Sequence, residues 1–586
     1  MKRRRHGTES IRTAAVLLAW LAAASAMGGD VAFVVAERGE SAAVEIVTGA
    51  NPAAEIASGA RIFADHVERM TGVKLPVVAV PSSAPRRIVV TAATDDPVDG
   101  FAIETTADVL TVAGTNPHGA AYGLFELLER FGGCGWYSKT FSVVPETARF
   151  EVPVGFRDRQ KAAFECREDF WYDQRSDRAF AALCRDHPCR FGSGLWSAHT
   201  LAGLLPSSEY FEAHPEYFAL RDGKRIPDQP CLTSPEVLAI VTSNVLSRIA
   251  ADPSARYYGV SQNDNRRYCQ CERCAAVDAE EGGTGAGTVI RFVNAIADEV
   301  ARRYPGKCIE TLAYEYSRKP PKTRPRPNVM VCLCSIECDF AHPLATSANQ
   351  ANADFRRDIS GWAELCDRLY VWDYTTDFTH YLYPFPNEGV LQSNLRFFRD
   401  HKVRMIFEQG AFQGRHGDLA ELKSWLLAKL MWNPDADAAE LTRRFVTDYY
   451  GAAAPMVTEY LAMRAGIAAG ATPLGIYEKA ECDRYPMEWL ERAAELWRAA
   501  EAAVKDDPAR LYNVRMGSLS VDYARIRRMQ AAAKPEDAGK LRDLCRRFLE
   551  LSALAGAGGG IRLSEQSYLE GVYRSEIKAS SQLEAK

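Results

Sequence analysis

The sequence predicts an α/β protein: a (β/α)8 TIM-like barrel preceded by an α+β domain and followed by a helical region. Three observations carry this. Between about Ala163 and Gly414, short apolar runs ending in polar and aromatic residues alternate with helical stretches, the pattern of parallel β/α units. Eight such runs fall in about 250 residues, the size of a closed barrel. Beyond about Gly417 the strand signals give way to helical periodicity.

In order along the chain, residues 1–29 read as an export signal. The basic start (Lys2, Arg3, Arg4, Arg5, Arg12) leads into an apolar run from Ala14 to Ala23, and Ala24-Ser25-Ala26 has a cleavage-site pattern. That run is too short for a membrane span of about 20 helical residues. An exported, periplasmic or extracellular protein without stable membrane insertion is therefore expected. Residues 30–155 form the α+β domain. Ile62, Phe63, Val67 and Met70 make a helical stripe, Arg87–Ala92 and Val109–Ala113 read as strands, and Gly119–Phe131 as a helix closed by Gly132-Gly133.

The barrel is placed at residues 160–416. Its expected strands are Phe164–Trp171, Arg190–Trp196, Gln229–Leu232, Tyr257–Val260, Cys308–Tyr314, Val329–Ile336, Leu369–Trp372 and Met405–Phe407. Helices are expected at Pro235–Ala250, Thr288–Tyr304, Phe355–Cys366 and Leu391–Asp400. Six helical stretches between Leu419 and Leu551 fill the C-terminal region, residues 417–586.

With 586 residues, 47% of them hydrophobic, the chain is globular rather than disordered or collagenous. Its 71 Lys and Arg against 76 Asp and Glu leave no basic excess for a nucleic-acid surface. Fifteen cysteines leave at least one unpaired. Cys269-x-Cys271-x-x-Cys274 has the start of a zinc-site spacing, but no second Cys-x-x-Cys or His pair follows it, so a disulfide or buried thiols are expected there. Cys332, Cys334 and Cys338 read as packing residues.

In a barrel, reactive groups project from the C-terminal strand ends. Those ends carry Arg167, Glu168 and Asp169; Trp196 and His199; Ser261, Gln262, Asn263, Asp264 and Asn265; Tyr314, Glu315 and Tyr316; Glu337; Trp372, Asp373 and Tyr374; and Glu408 and Gln409. Each alone has a structural reading, as a helix cap, an ion-pair member or packing. Together they suit a sugar: aromatic faces stack on its C–H side, carboxylates and amides bond its hydroxyls, and two carboxyl groups supply the acid and base of glycosidic cleavage. No partner stands at metal-binding spacing from His199. The Asn263–Asn265 loop lacks the Gly and distant Glu of a calcium loop, so no metal or cofactor is expected.

The segments His214-Pro-Glu-Tyr-Phe218, Ser261-Gln-Asn-Asp-Asn265, Tyr268-Cys-x-Cys-x-x-Cys274, Thr311-Leu-Ala-Tyr314, Ile336-Glu-Cys338, Trp372-Asp-Tyr-Thr-Thr-Asp-Phe378, Pro384-Phe-Pro386 and Trp432-Asn-Pro434 resemble the bacterial family called domain of unknown function 4838. The resemblance covers about residues 165–465 and extends to glycoside hydrolase family 163, which implies endo-β-N-acetylglucosaminidase activity on a glycan. The preceding domain, with Gly114-Thr-Asn-Pro-His-Gly-Ala-Ala-Tyr-Gly123 and Gly135-Trp-Tyr137, resembles the N-terminal domain of family 20 hexosaminidases and family 67 α-glucuronidases.

The resemblance implies Asp264 as general acid, with Asn263 positioning the substrate's acetamide. A competing scheme uses Glu337 and Asp373 as acid/base and nucleophile. Trp196, His199, Asn265, Tyr314, Trp372 and Tyr374 are expected to bind sugar, with Glu315 and Glu408 as binding or reserve acids. Two further readings stand beside this one. A glycan-capture protein would keep the barrel without turnover, and a uronic-acid hydrolase would need Arg167 and nearby Arg side chains to face the pocket and receive a carboxylate.

Overall fold

The computed structural model describes residues 32–565 apart from 94–95, 193, 196–197, 481–482, 533 and 557–559. Residues 1–29, expected to be an export signal, and Trp196 lie outside the described residues. The chain divides into two compact units, one running to residue 135 and including 143–161, the other comprising 136–142 and the chain from 162 onward.

The first unit opens with β1 (Ala32–Glu37), β2 (Val44–Val47), α1 (Ala54–Thr71) and β3 (Val77–Val78). It continues through β4 (Arg86–Ala92), β5 (Gly100–Thr105), β6 (Val109–Gly114) and α2 (Pro117–Arg130). A short ribbon, β7 (Gly135–Ser138) with β8 (Phe141–Val143), falls almost wholly in the second unit; the first resumes with β9 (Arg149–Pro153) and β10 (Arg157–Lys161). A mixed six-stranded sheet runs β10-β5-β6-β4-β2-β3, and β1 pairs with β9. Phe63, Val67 and Met70 of the expected stripe are buried. Ile62 is only half-buried, and its carbonyl accepts from the buried His66 ring at 2.8 Å. The Gly114–Gly123 motif has a steric explanation. Asn116 caps α2 by accepting the Gly119 N–H at 2.9 Å, and a Cβ on Gly119 would stand 2.0 Å from the Gly100 carbonyl oxygen.

The second unit is the barrel and its helical extension. Its strands are β11 (Cys166–Phe170), the hairpin β12 (Phe218–Arg221) with β13 (Lys224–Pro230), β14 (Tyr257–Gly259), β15 (Cys308–Ala313), β16 (Val329–Cys334), β17 (Leu369–Tyr374) and β18 (Val403–Gln409). Between them lie α3 (Pro235–Ala251), α4 (Glu272–Glu280), α5 (Ala286–Arg303), α6 (Gln350–Leu365) and α7 (Leu391–Asp400). Helices α8 (Ala420–Trp432), α9 (Ala438–Tyr450), α10 (Ala454–Ala468), α11 (Met487–Ala503), α12 (Pro508–Ala532) and α13 (Ala538–Leu554) complete it.

Six strands form one all-parallel sheet in the order β11-β18-β17-β16-β15-β14. Two of the eight expected strands differ. Among the described residues of Arg190–Trp196, the pairing is a parallel bridge from Phe191 to Tyr257. Gln229–Leu232 falls at the end of β13, whose pairing is antiparallel with β12. Its apolar run buries against that hairpin and not within the barrel wall.

Alternation along the strands sorts the barrel's two faces. Cys166, Tyr257, Cys308, Leu312, Met330, Cys332, Cys334, Tyr370, Met405 and Phe407 make one buried cluster, with Phe170, Tyr314 and Trp372 packed on it. These alternate residues are the barrel interior. The residues between them face the surrounding helices: the Arg167 guanidinium sits 5.3 Å from the Trp432 ring centroid, and Ser424 of α8 donates to Asp169 Oδ2 at 2.6 Å.

Candidate functional site

A cavity of about 190 Å³ opens where the C-terminal strand ends converge. Its wall is built in register. Leu312 comes from β15 and Tyr314 just after it, Cys334 from β16 and Ile336 just after it, Trp372 and Tyr374 from β17, and Gln409 from β18. The loop after β14 adds Asp264, with His199 beside it. Phe378, Tyr477 and Glu565 complete the lining.

Two carboxyl groups, Asp264 and Glu565, thus face one aromatic cavity. Asp264 is open to solvent, accepts a hydrogen bond from the Tyr314 hydroxyl at 3.2 Å and has His199 Nε2 3.8 Å away. The other His199 nitrogen, Nδ1, lies 2.8 Å from the Gln262 carbonyl oxygen, which makes Nδ1–H the donor and turns Nε2 toward Asp264. His199 holds this position with φ at +55°, a conformation uncommon for a residue with a Cβ. The adjoining Thr200 hydroxyl accepts the Ser261 N–H at 2.9 Å and ties the same turn to the Asp264 loop. Burial raises the Glu565 carboxyl above the usual range; Arg562 opposes this and the Asp264 charge adds to it.

Trp372 Nε1 donates to Gln409 Oε1 at 2.7 Å, which fixes the indole and the amide as one wall. Tyr374 stacks on Trp372 with centroids 6.4 Å apart. Tyr477 is 60% exposed at the cavity edge.

Other residues expected in the site are placed elsewhere, and each has a local reason. Asn263 donates through Nδ2 to the Asp228 carbonyl at 2.7 Å, while its own N–H and C=O bond to the Gln229 side chain. Asn265 is tied to the same two residues. Both asparagines clamp the loop that presents Asp264, and neither lines the cavity. Glu315 pairs with Arg266 at 3.1 Å, and Glu337 with Arg318 at 2.9 Å; neither lines the cavity.

Asp373, Glu408 and Arg167 also do not line it. Sequence reading counted Trp372 and Asp373 together, but the pleat sends neighbours to opposite faces. Asp169, Glu408 and Asp373 stand in register on β11, β18 and β17, a row of buried acids on the outer face. Burial pushes Asp373 up to about 6, against the Ser335 hydroxyl that donates to it, and raises Glu408 further with help from the Asp373 and Asp169 charges. Arg167 donates to the carbonyls of Phe164 and Arg185.

Glu565, Tyr477 and Phe378 were not assigned to the site from sequence. Gln409 was read as a strand-end residue beside Glu408, and its parity puts it on the inner face. Tyr477 and Glu565 come from segments that follow the barrel strands by dozens of residues, and no local pattern marks them.

Among the cysteines, Cys166 and Cys189 form a disulfide, whereas Cys269, Cys271 and Cys274 are free and buried. Cys231 joins them, and the four Sγ atoms lie within 4.8 Å of one another. The fourth thiol was missed because it lies upstream of the motif, just past β13.

The sequence profile described as domain of unknown function 4838 matches residues 136–462. The chain belongs to the domain of unknown function 4838 family. This member has the fold of several glycoside hydrolases. A family 115 4-O-methyl-α-glucuronidase with specificity for decorated arabinogalactans superposes with a TM-score of 0.59 at 12% identity, covering 90% of this chain and 78% of that one. A family 89 glycoside hydrolase from Clostridium perfringens, in complex with 2-acetamido-1,2-dideoxynojirmycin, gives 0.50 at 10% identity, covering 89% and 69%. No curated protein matches the chain in sequence.

Proposed function

We propose that this family member is an exported glycoside hydrolase that cleaves a glycan containing an N-acetylhexosamine, with Asp264 and Glu565 as its catalytic carboxyl groups. The observation that carries the reading is their meeting in one aromatic-walled cavity at the C-terminal strand ends. Glycosidic cleavage needs two carboxyl groups in different protonation states, and groups whose environments differ are the ones to assign. Glu565, held protonated to higher pH by burial and by Asp264, is suited to protonate the leaving oxygen. Asp264, exposed and bonded by Tyr314, is suited to be the charged partner. This reverses the sequence-based role of Asp264 as proton donor, yet both assignments make Asp264 indispensable. Trp372, Tyr374 and Tyr477 supply faces for the pyranose, and Gln409 the adjacent polar wall.

The uronic-acid alternative required Arg167 and nearby Arg side chains to face the pocket; Arg167 is committed to carbonyls and Trp432 on the outer face, and no Arg is among the described residues that line the cavity. An N-acetylated sugar fits the neutral aromatic wall, and the family 89 relative in fold was solved with an N-acetylated sugar mimic. Export is supported by the leader pattern and by the Cys166–Cys189 disulfide, a bond favoured in oxidising compartments.

A glycan screen with mass analysis of products tests the reading. Released reducing ends are expected from the wild type and none from Asp264→Asn. Binding without release by the wild type at every pH would make the protein a glycan-capture module instead. Substrates with activated leaving groups separate the roles: a variant lacking the proton donor retains turnover on them. Glu565→Gln is expected to do so and Asp264→Asn is not; the opposite result restores Asp264 as the acid.

A further inference from the structure

The four-thiol cluster lies outside the cavity and is used by none of the chemistry above. Cys231 follows β13, Cys269 precedes α4, Cys271 is the N-cap of α4, and Cys274 sits in its first turn. All four are buried, and Ala219, Leu220 and Ile226 pack around them. Cys231 Sγ is 3.7 Å from Cys271 Sγ and 3.8 Å from Cys274 Sγ. A tetrahedron of sulfurs about 2.3 Å from a central zinc has edges of about 3.8 Å. The separations therefore suit four ligands around one ion.

The surroundings supply what a tetrathiolate site needs from its second layer. The Leu220 N–H donates to Cys269 Sγ at 3.4 Å, and the Thr233 hydroxyl lies 3.2 Å from Cys274 Sγ. Arg225 Nη1 is 3.9 Å from Cys269 Sγ. Four thiolates and one divalent ion leave a net negative charge, which the guanidinium and the amino end of α4 offset. Soft thiolate sets with no open position select zinc in a structural role.

We propose that Cys231, Cys269, Cys271 and Cys274 bind one structural zinc ion that fastens the β12–β13 hairpin to the loop carrying Asp264. Gln229 of β13 makes that fastening matter to the cavity. Its side chain holds the backbone of Asn263 and the side chain and carbonyl of Asn265, on either side of Asp264. The ion thus couples folding of the hairpin to placement of the carboxylate.

The test is metal analysis of the untagged full-length wild type, with disulfide mapping of the same sample. One zinc per chain is expected, with the four thiols shielded from alkylation until the protein is denatured with chelator. Cys231→Ser and Cys274→Ser should each lose at least nine-tenths of the zinc, while Cys366→Ser keeps it. Protein produced with cobalt in place of zinc keeps the measurement independent of whether those variants fold: the wild type should show the thiolate-to-cobalt charge-transfer and intense d–d bands of a tetrahedral sulfur site. Absence of stoichiometric metal, disulfide-linked peptides among the four cysteines, or full zinc content in both serine variants would overturn the proposal. Iron in place of zinc would overturn the assignment of the ion.

Discussion

The two faces of the barrel sheet carry much the same chemistry to different ends. On the inner face, Trp372, Tyr374 and Gln409 end their strands at an open cavity. One residue away on the same strands, Asp373 and Glu408 are buried on the outer face beside Asp169. The cavity at the inner end takes its carboxyl groups from outside the strands, which leaves Asp264 in contact with water and with Tyr314, while Glu168 and Glu310, of inner parity, do not line it. The outer face encloses its acids, and burial raises Asp373, Glu408 and Asp169 above the usual carboxyl range. Acidity at a strand end is therefore no guide to catalysis until the pleat assigns each residue a side.

The largest expected effect comes from the inner side. Asp264→Asn should lower kcat/KM on the cleaved glycan by roughly 10³-fold or more while glycan binding persists, checked by product release and by calorimetry. Glu565→Gln should cost roughly 10²-fold on ordinary substrates and change the pH profile. Because the Glu565 carboxyl is raised, a proton-donor role puts the alkaline limb of the wild type above the ordinary glutamic range, and the variant should lack that limb. Tyr477→Ala removes an exposed face without opening the core, and should weaken glycan binding about tenfold with little change in melting temperature.

The outer side should answer in stability. Asp373 is raised to about 6, so the folded state binds more protons than the unfolded state between the ordinary aspartate value and 6. Stability then falls as pH rises through that window and stays lower above it. Asp373→Asn, which still accepts from Ser335, should remove this slope. At pH 8 it should gain on the order of 1–3 kcal/mol relative to wild type by urea unfolding, with no corresponding gain at pH 4.

Much of the fold was legible because it is local. The stretch Leu391–Asp400 emerged with its expected bounds, and β11 and β14–β18 fall within the predicted strands or extend them by one or two residues. Gln229–Leu232 misled because a short apolar run cannot report whether its partner is a hairpin or a barrel wall. Asp264, His199, Tyr314, Trp372 and Tyr374 were found from strand-end position, and all five line the cavity. Asp373, Glu408 and Arg167 were taken with them because strand bounds uncertain by one residue leave the face undecided. Glu565, Tyr477 and Cys231 depend on segments brought together by the tertiary fold, which periodicity cannot locate.

The central claim is that cavity-facing Asp264, and not the neighbouring strand-end acid Asp373, carries the reaction. The direct measurement is kcat/KM of Asp264→Asn and Asp373→Asn on one cleaved glycan at one pH, with circular dichroism confirming that both are folded. A loss of roughly 10³-fold or more for Asp264→Asn, against less than about tenfold for Asp373→Asn, is the predicted result. Full activity in Asp264→Asn with loss in Asp373→Asn would contradict it.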